Sequence, residues 1–247
     1  MPNFRPLRNR KSWGAPRLAD NTWTPYKPTV WDIHWGGVGP YRTATDKDLA
    51  ALYASWRRYH MRINPATGQP VMRDIAYNYG QGSDEFGIAF RLRGENQNGA
   101  NKGSGTPPYF YGRNTRAFVF ALGKNSDVQL PSLNARLSFA RLWVIDPLPV
   151  TGHGLKPGQN TECPGPLKGW IASKGWLTDL GSLMPGDKSL TVQALKKRLK
   201  ALGYRRIVGN DRYGAGMVKQ VKRYQADRGL PADGIVNRAF WESLQLG

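Results

Sequence analysis

Hydrophobic positions along the chain recur with two different periods, and each period predicts a different element. From Val30 to His34 the run is β-branched and aromatic and stops at Gly36-Gly37, which predicts a short buried strand. Leu49, Leu52, Tyr53, Trp56 and Tyr59 step by three and four, predicting a helix capped by Thr45 or Asp46 and ending near His60. Residues 73–79 and 87–93 alternate and predict a pair of hairpin strands. The apolar run 117–122 predicts a central strand, and 132–144 a helix. Residues 94–114 carry Asn, Gly, Ser and Pro and residues 147–166 are dense in Gly and Pro; both read as loops, the second long enough to suggest a function. These elements make an α/β fold.

The pattern changes after Gly181. Residues 181–187, Gly-Ser-Leu-Met-Pro-Gly-Asp, read as a linker between a large domain, 1–180, and a small one, 188–247. In the small domain Val192, Leu195, Leu199 and Leu202 share one helical face, with Lys196, Lys197, Arg198 and Lys200 expected elsewhere. One device then occurs twice. Asn210–Gly214 precedes a helix carrying Val218, Val221 and Tyr224, and Asp233–Asn237 precedes one carrying Phe240, Trp241 and Leu244. Three helices in about 60 residues lie near the lower limit for an independent core. Residues 1–28, rich in Pro, Arg and Trp, read as an extended arm.

Composition narrows the classes. With 40% hydrophobic and 11% aromatic residues among 247, a core can be buried and global disorder is excluded. No stretch of about 18 apolar residues is present, so no membrane span is expected. The basic N-terminus lacks an apolar run and does not read as a secretory signal. A single cysteine, Cys163, excludes an internal disulfide. The net charge of +19 points to a polyanionic partner, and residues 188–247 alone hold 13 Lys/Arg against 4 Asp/Glu. Nucleic acid would satisfy such a charge, yet no RNA-binding motif or zinc-finger spacing is present, so it is not the expected partner.

The candidate chemistry rests on few residues. The chain has three histidines. His34 ends a predicted strand, His60 ends a predicted helix and reads as structural, and His153 sits between two glycines. Cys163 follows ten residues after His153. Two imidazoles and a thiolate match the three protein ligands of a catalytic zinc site with its fourth position open. On spacing alone Cys163 reads equally well as a small buried hydrophobe.

Several segments, in order, resemble one family. Arg10–Pro16 (RKSWGAP), Asp32–Trp35 (DIHW), Arg73–Asn78 (RDIAYN), Gly152-His153 and Thr161–Gly165 (TECPG) are similar to the zinc-dependent N-acetylmuramoyl-L-alanine amidases that share a fold with peptidoglycan recognition proteins and include phage endolysins. The resemblance covers residues 10–178. It implies a central mixed β-sheet flanked by helices, with one Zn2+ per chain on His34, His153 and Cys163. It places Tyr77 beside a zinc-activated water that attacks the amide between N-acetylmuramic acid and L-alanine; Tyr79, on the same strand face, is the residue to distinguish from it. Tyr77 or the Thr161 hydroxyl is the expected oxyanion donor, the proton work falls to Tyr77, the zinc-bound hydroxide or Glu162, and Trp35, Asn78, Arg113 and Asn114 are the expected substrate contacts. The chain departs from the family in a longer His153–Cys163 gap, in Thr161 where some relatives carry lysine, and in having no acid on the 117–122 strand.

The small domain resembles the three-helix peptidoglycan-binding domain often fused to wall hydrolases. Together the two resemblances imply an endolysin made in a host cytoplasm, released through a holin and acting as a monomer on peptidoglycan, with anionic wall polymers as further partners. The alternative is a recognition protein of the same fold that binds peptidoglycan without cutting it.

Overall fold

The computed structural model describes residues 7–15, 28–36, 46–70, 74–81, 89–93, 115–121, 130–156, 159 and 161–246. Six strands form one mixed sheet: β1 (Leu7–Arg8), β2 (Val30–Trp35), β3 (Tyr79–Gln81), β4 (Ala89–Arg91), β5 (Thr115–Phe120) and β6 (Val150–Gly152). Their order is β1-β4-β3-β5-β2-β6. All pairings are parallel except β3 with β4. Parallel strands are covered on both faces and so read as apolar runs; Ala117–Phe120 are all buried. β2 departs from that rule, because it buries Asp32 and His34 among its apolar residues.

Helices cover both faces. On one, α1 (Asp46–His60) sets Leu49 and Tyr53 against Val119, Phe90 and Trp13. On the other, Trp170 of α3 (Leu167–Ala172) meets Phe120 edge to face at 6.1 Å. Val119 and Phe120 are neighbours on β5, so the period of two sends them to opposite sides. The N-terminal arm is tied down through Arg10 and Trp13. Trp13 donates its indole N–H to Arg91 at 2.8 Å, and the Arg10 guanidinium bonds the Leu92 carbonyl and Asp74.

Of the strand expected over 73–79, the described residues 74–78 form irregular backbone and only Tyr79 lies in β3. Polar side chains compete with the ladder there. Asp74 accepts the Ile75 N–H at 2.8 Å and pairs with Arg10 and Arg57. Asn78 exchanges backbone and side-chain bonds with Ala117 at 3.0 and 2.8 Å. Within the long loop expected over 147–166, β6 and a 3-10 turn, His153–Leu155, are present. Three residues with a glycine carry too little alternation to be read as a strand.

The chain divides into two compact units. The sheet lies in residues 7–135 and 148–173; the other unit comprises, among the described residues, 136–147 and 174–246. In the latter, α5 (Leu190–Ala201), α6 (Ala215–Asp227) and α7 (Arg238–Ser243) enclose Val192, Leu195, Leu199, Val221, Tyr224, Phe240 and Trp241, all buried. Ser189 caps α5 and Asn237 caps α7 through the N–H groups of Val192 and Phe240. The segment 181–187 is pinned here, since Leu183 bridges Val236 and the Trp241 indole donates to the Gly181 carbonyl at 2.7 Å. Trp176 of α4 (Gly175–Leu180) packs on Phe139 and Trp143 of α2 (Leu133–Ile145), and Arg136 grips Asp179 with two bonds of 2.8 Å. Lys196 departs from the expectation of a solvated face. It is buried and donates to the Asn210 carbonyl and side chain and to the Arg212 carbonyl.

Candidate metal centre

The site sits at the carboxyl ends of β2 and β6, where open parallel sheets place their chemistry. These strands pair in parallel with Ile33 opposite Gly152, so His34 and His153 follow side by side at the ends of adjacent strands. Their rings lie 4.9 Å apart, although 119 residues separate them in sequence. Cys163 is returned to the same place by a loop. The Gly154 N–H donates to the Cys163 carbonyl at 2.7 Å, and the Cys163 N–H donates to the Thr161 hydroxyl at 3.2 Å. Gly154 is required there: a Cβ would fall 2.3 Å from the Cys163 carbonyl oxygen and 2.4 Å from that of Thr161.

His34, His153 and Cys163 each offer one donor atom, and these atoms lie within 4.8 Å of one another. The Cys163 Sγ is 3.6 Å from His34 Nδ1. Behind this set, Asp32 Oδ2 lies 3.1 Å from His34 Nε2, and the Lys156 ammonium lies 2.5 Å from the same oxygen. Gln159 Oε1 lies 3.1 Å from His153 Nε2. Two imidazoles and one thiol in this arrangement can hold a metal ion, with the carboxylate orienting one ring and the amide the other.

The electrostatics follow from burial and these neighbours. Burial works against ionisation of Asp32, but His34 and Lys156 outweigh it and hold the carboxyl down at about 2. Burial alone would lower the His34 pKa; Asp32 reverses this and raises it to about 9. Burial would raise the Cys163 thiol, yet hydrogen bonds from His153 and His34 bring it down to about 6, so the thiolate is accessible near neutrality. Tyr77 is pushed up, first by burial and then by the negative charge of Cys163 and Asp32, and keeps its proton.

The other expected site residues are distributed as follows. Tyr77 lies beside the cluster, its ring 5.3 Å from His34. Tyr79 instead packs on Trp31 at 5.7 Å. Thr161 is engaged by the Cys163 N–H, and Glu162 is exposed. Trp35 lies over Gly165, where a Cβ would meet its ring at 2.6 Å. Asn78 is buried, and its amide oxygen serves the Ala117 N–H. Arg113 and Asn114 lie outside the described residues. His60 accepts the Ala76 N–H at 3.2 Å and is held down at about 4 by burial and then by Arg93 and Arg62. Asp32, Lys156 and Gln159 were not singled out from the sequence. Asp32 alone had a signal, two residues before His34 on the same strand face.

Comparison with known proteins adds the following. Residues 188–244 match the family described as "Putative peptidoglycan binding domain". Drosophila peptidoglycan recognition protein SA is similar over 67% of this chain and 90% of its own, at 19% identity and a TM-score of 0.52. A peptidoglycan recognition protein LE, solved with tracheal cytotoxin, is similar over 68% and 92%, at 21% identity and a TM-score of 0.51. No curated protein matches the chain. At these identities the likeness to the solved structures is one of fold: a mixed α/β sheet flanked by helices, with a helical peptidoglycan-binding match near the C-terminus.

Proposed function

We propose that the chain is a zinc-dependent N-acetylmuramoyl-L-alanine amidase whose residues 188–247 bind the wall it cuts. The observation that carries this reading is the convergence of His34, His153 and Cys163 on one point. The donor set suits zinc. Imidazole nitrogen and thiolate sulfur are its usual protein ligands, and the Cys163 Sγ stands 3.6 Å from His34 Nδ1. Zinc held there would supply a Lewis acid and a nucleophile at neutral pH.

The chain's own residues do the rest. Asp32 accepts the Nε2 proton of His34, which leaves Nδ1 aimed at the shared point. Cys163 binds as thiolate. Tyr77 retains its phenolic proton beside His34 and donates it as a hydrogen bond to the scissile carbonyl oxygen as charge develops. Thr161, engaged by the Cys163 N–H through its oxygen, keeps its hydroxyl proton for the same use. Trp35, spread over Gly165, offers an apolar ring next to the site. The protein names among the fold relatives, and the family matched by residues 188–244, support a wall polymer as substrate.

The test is digestion of purified peptidoglycan with and without a chelator. New alanine amino groups without new reducing sugars identify the amide bond, and the chelator should abolish them. Wall binding without release of alanine amino groups would leave a recognition protein and overturn the catalytic reading.

A further inference from the structure

A cavity of about 540 Å³ opens in the helical unit between the start of α5 and the turn Gly209–Arg212. Its walls are unusual in charge. Lys188 and Arg212 form an isolated antiparallel bridge, so two cationic side chains stand directly opposite each other. Like charges in that relation are destabilising. Asp211 relieves them little, since its carboxylate is 3.9 Å from the Lys188 ammonium and both are solvent-exposed in part. A third cation lies beneath: buried Lys196 donates to the Asn210 carbonyl, the Asn210 amide oxygen at 2.8 Å and the Arg212 carbonyl at 2.5 Å. The turn is further clamped by the Ser189 N–H on the Asp211 carbonyl and the Tyr213 N–H on the Asp187 carbonyl. The Gln193 Oε1 lining this cavity is buried and has no hydrogen-bond partner among the described residues.

Burying a lysine to hold a surface turn costs stability, and a rigid turn loses little entropy when a ligand arrives. The cavity therefore combines two convergent cations, a fixed backbone and one amide acceptor in need of an N–H. We infer that this cavity is the ligand site of the helical unit, and that its ligand is an acidic peptide: a carboxylate between Arg212 and Lys188, with a neighbouring peptide N–H on Gln193. Under the proposed function, on which this inference rests, that ligand is the free-carboxylate portion of the peptidoglycan stem peptide.

The experiment is calorimetric titration of the full chain with the glycan-free stem peptide L-Ala-γ-D-Glu-meso-diaminopimelate, with the same peptide amidated at its carboxyl groups, and with inorganic phosphate. The parent should bind the free acid. Arg212→Gln and Lys188→Gln should each weaken it about tenfold, amidation should do the same, and Gln193→Leu should weaken it less. Lys219→Gln, with the same loss of net charge on α6, should bind as the parent does. Equal effects of Lys219→Gln and Arg212→Gln, preference for phosphate, or no binding of the acid peptide would each overturn the assignment. Wall digestion run in parallel separates the two readings. Amide release with unaltered peptide binding by Arg212→Gln removes only this site, whereas no release and no wall binding remove the proposed function as well.

Discussion

Cys163 illustrates how much one side chain depends on its surroundings. Its thiol is buried, which favours the neutral form, but two imidazoles turn the balance toward thiolate. Under the proposed function Cys163→Ser replaces that thiolate with a far weaker ligand, and bound zinc per chain, read by atomic absorption, should fall from one to near zero. Tyr77 should behave differently. Under the proposed function Tyr77→Phe removes one oxyanion donor and no ligand, so kcat for amide release should fall about 10²–10³-fold with metal content unchanged. Loss of metal in Tyr77→Phe would show that the phenol shapes the site instead. At this scale the three donors were legible only through the motifs around them and the family these resemble; on spacing alone Cys163 read equally well as a buried hydrophobe. Lys156 and Gln159 were not, since a lysine or glutamine in a Gly- and Pro-rich loop carries no mark of what it will reach.

Between elements, two struts hold the site and its sheet. Lys156, three residues after His153, reaches Asp32, two residues before His34, and so ties the β6 turn to β2. Lys156→Met should lower zinc affinity about 10–100-fold, measured by competition with a chelator, and Lys156→Arg should restore part of it. An unchanged affinity would mean the strand register alone positions the histidines. The second strut is Asp74, 2% exposed, between Arg10 at 2.9 Å and Arg57 at 2.8 Å. It joins the N-terminal arm to α1. Asp74→Ala removes the carboxylate that two cations share and should cost about 3–5 kcal/mol in urea unfolding. The helix α1 and strands β2 and β5 followed their periodicity closely. β3 did not, because Asp74 and Asn78 put their side chains where ladder bonds were expected. The helix over 190–201 was legible as well, although Lys196 turned inward to hold the Asn210–Arg212 turn.

For the whole molecule, one contribution to the pH dependence of stability comes from His60. Its folded pKa lies near 4, below its ordinary 6.5, because burial, Arg93 and Arg62 oppose the charged form while Asp74 favours it. The unfolded chain therefore takes up this proton first. The stability contributed by neutral His60 is complete above about pH 6.5 and is lost as pH falls toward 4, at no more than about 1.4 kcal/mol per unit. Urea unfolding at pH 7, 5.5 and 4.5 should show a steeper decline for the parent than for His60→Gln, whose side chain can still accept the Ala76 N–H and does not titrate. Parallel declines would remove His60 as the cause. Charge also acts at this scale. The excess of 13 basic over 4 acidic residues in 188–247 should make wall sedimentation weaken as salt rises, within the Debye screening range of about 10 Å at 0.1 M.

The sequence by itself determined the elements whose hydrophobic period is long and clean, the order of the motifs, the inventory of possible donors and the uneven charge. These are properties of neighbours in the chain, and local propensity and patterning suffice for them. Tertiary structure alone decided that Ile33 stands opposite Gly152, and hence that His34 meets His153. It also decided that Lys156 reaches Asp32 and that Lys188 stands opposite Arg212. Each is a contact between segments far apart along the backbone. Register between parallel strands is set by which side chains the core accepts on both faces, a condition that no single segment carries.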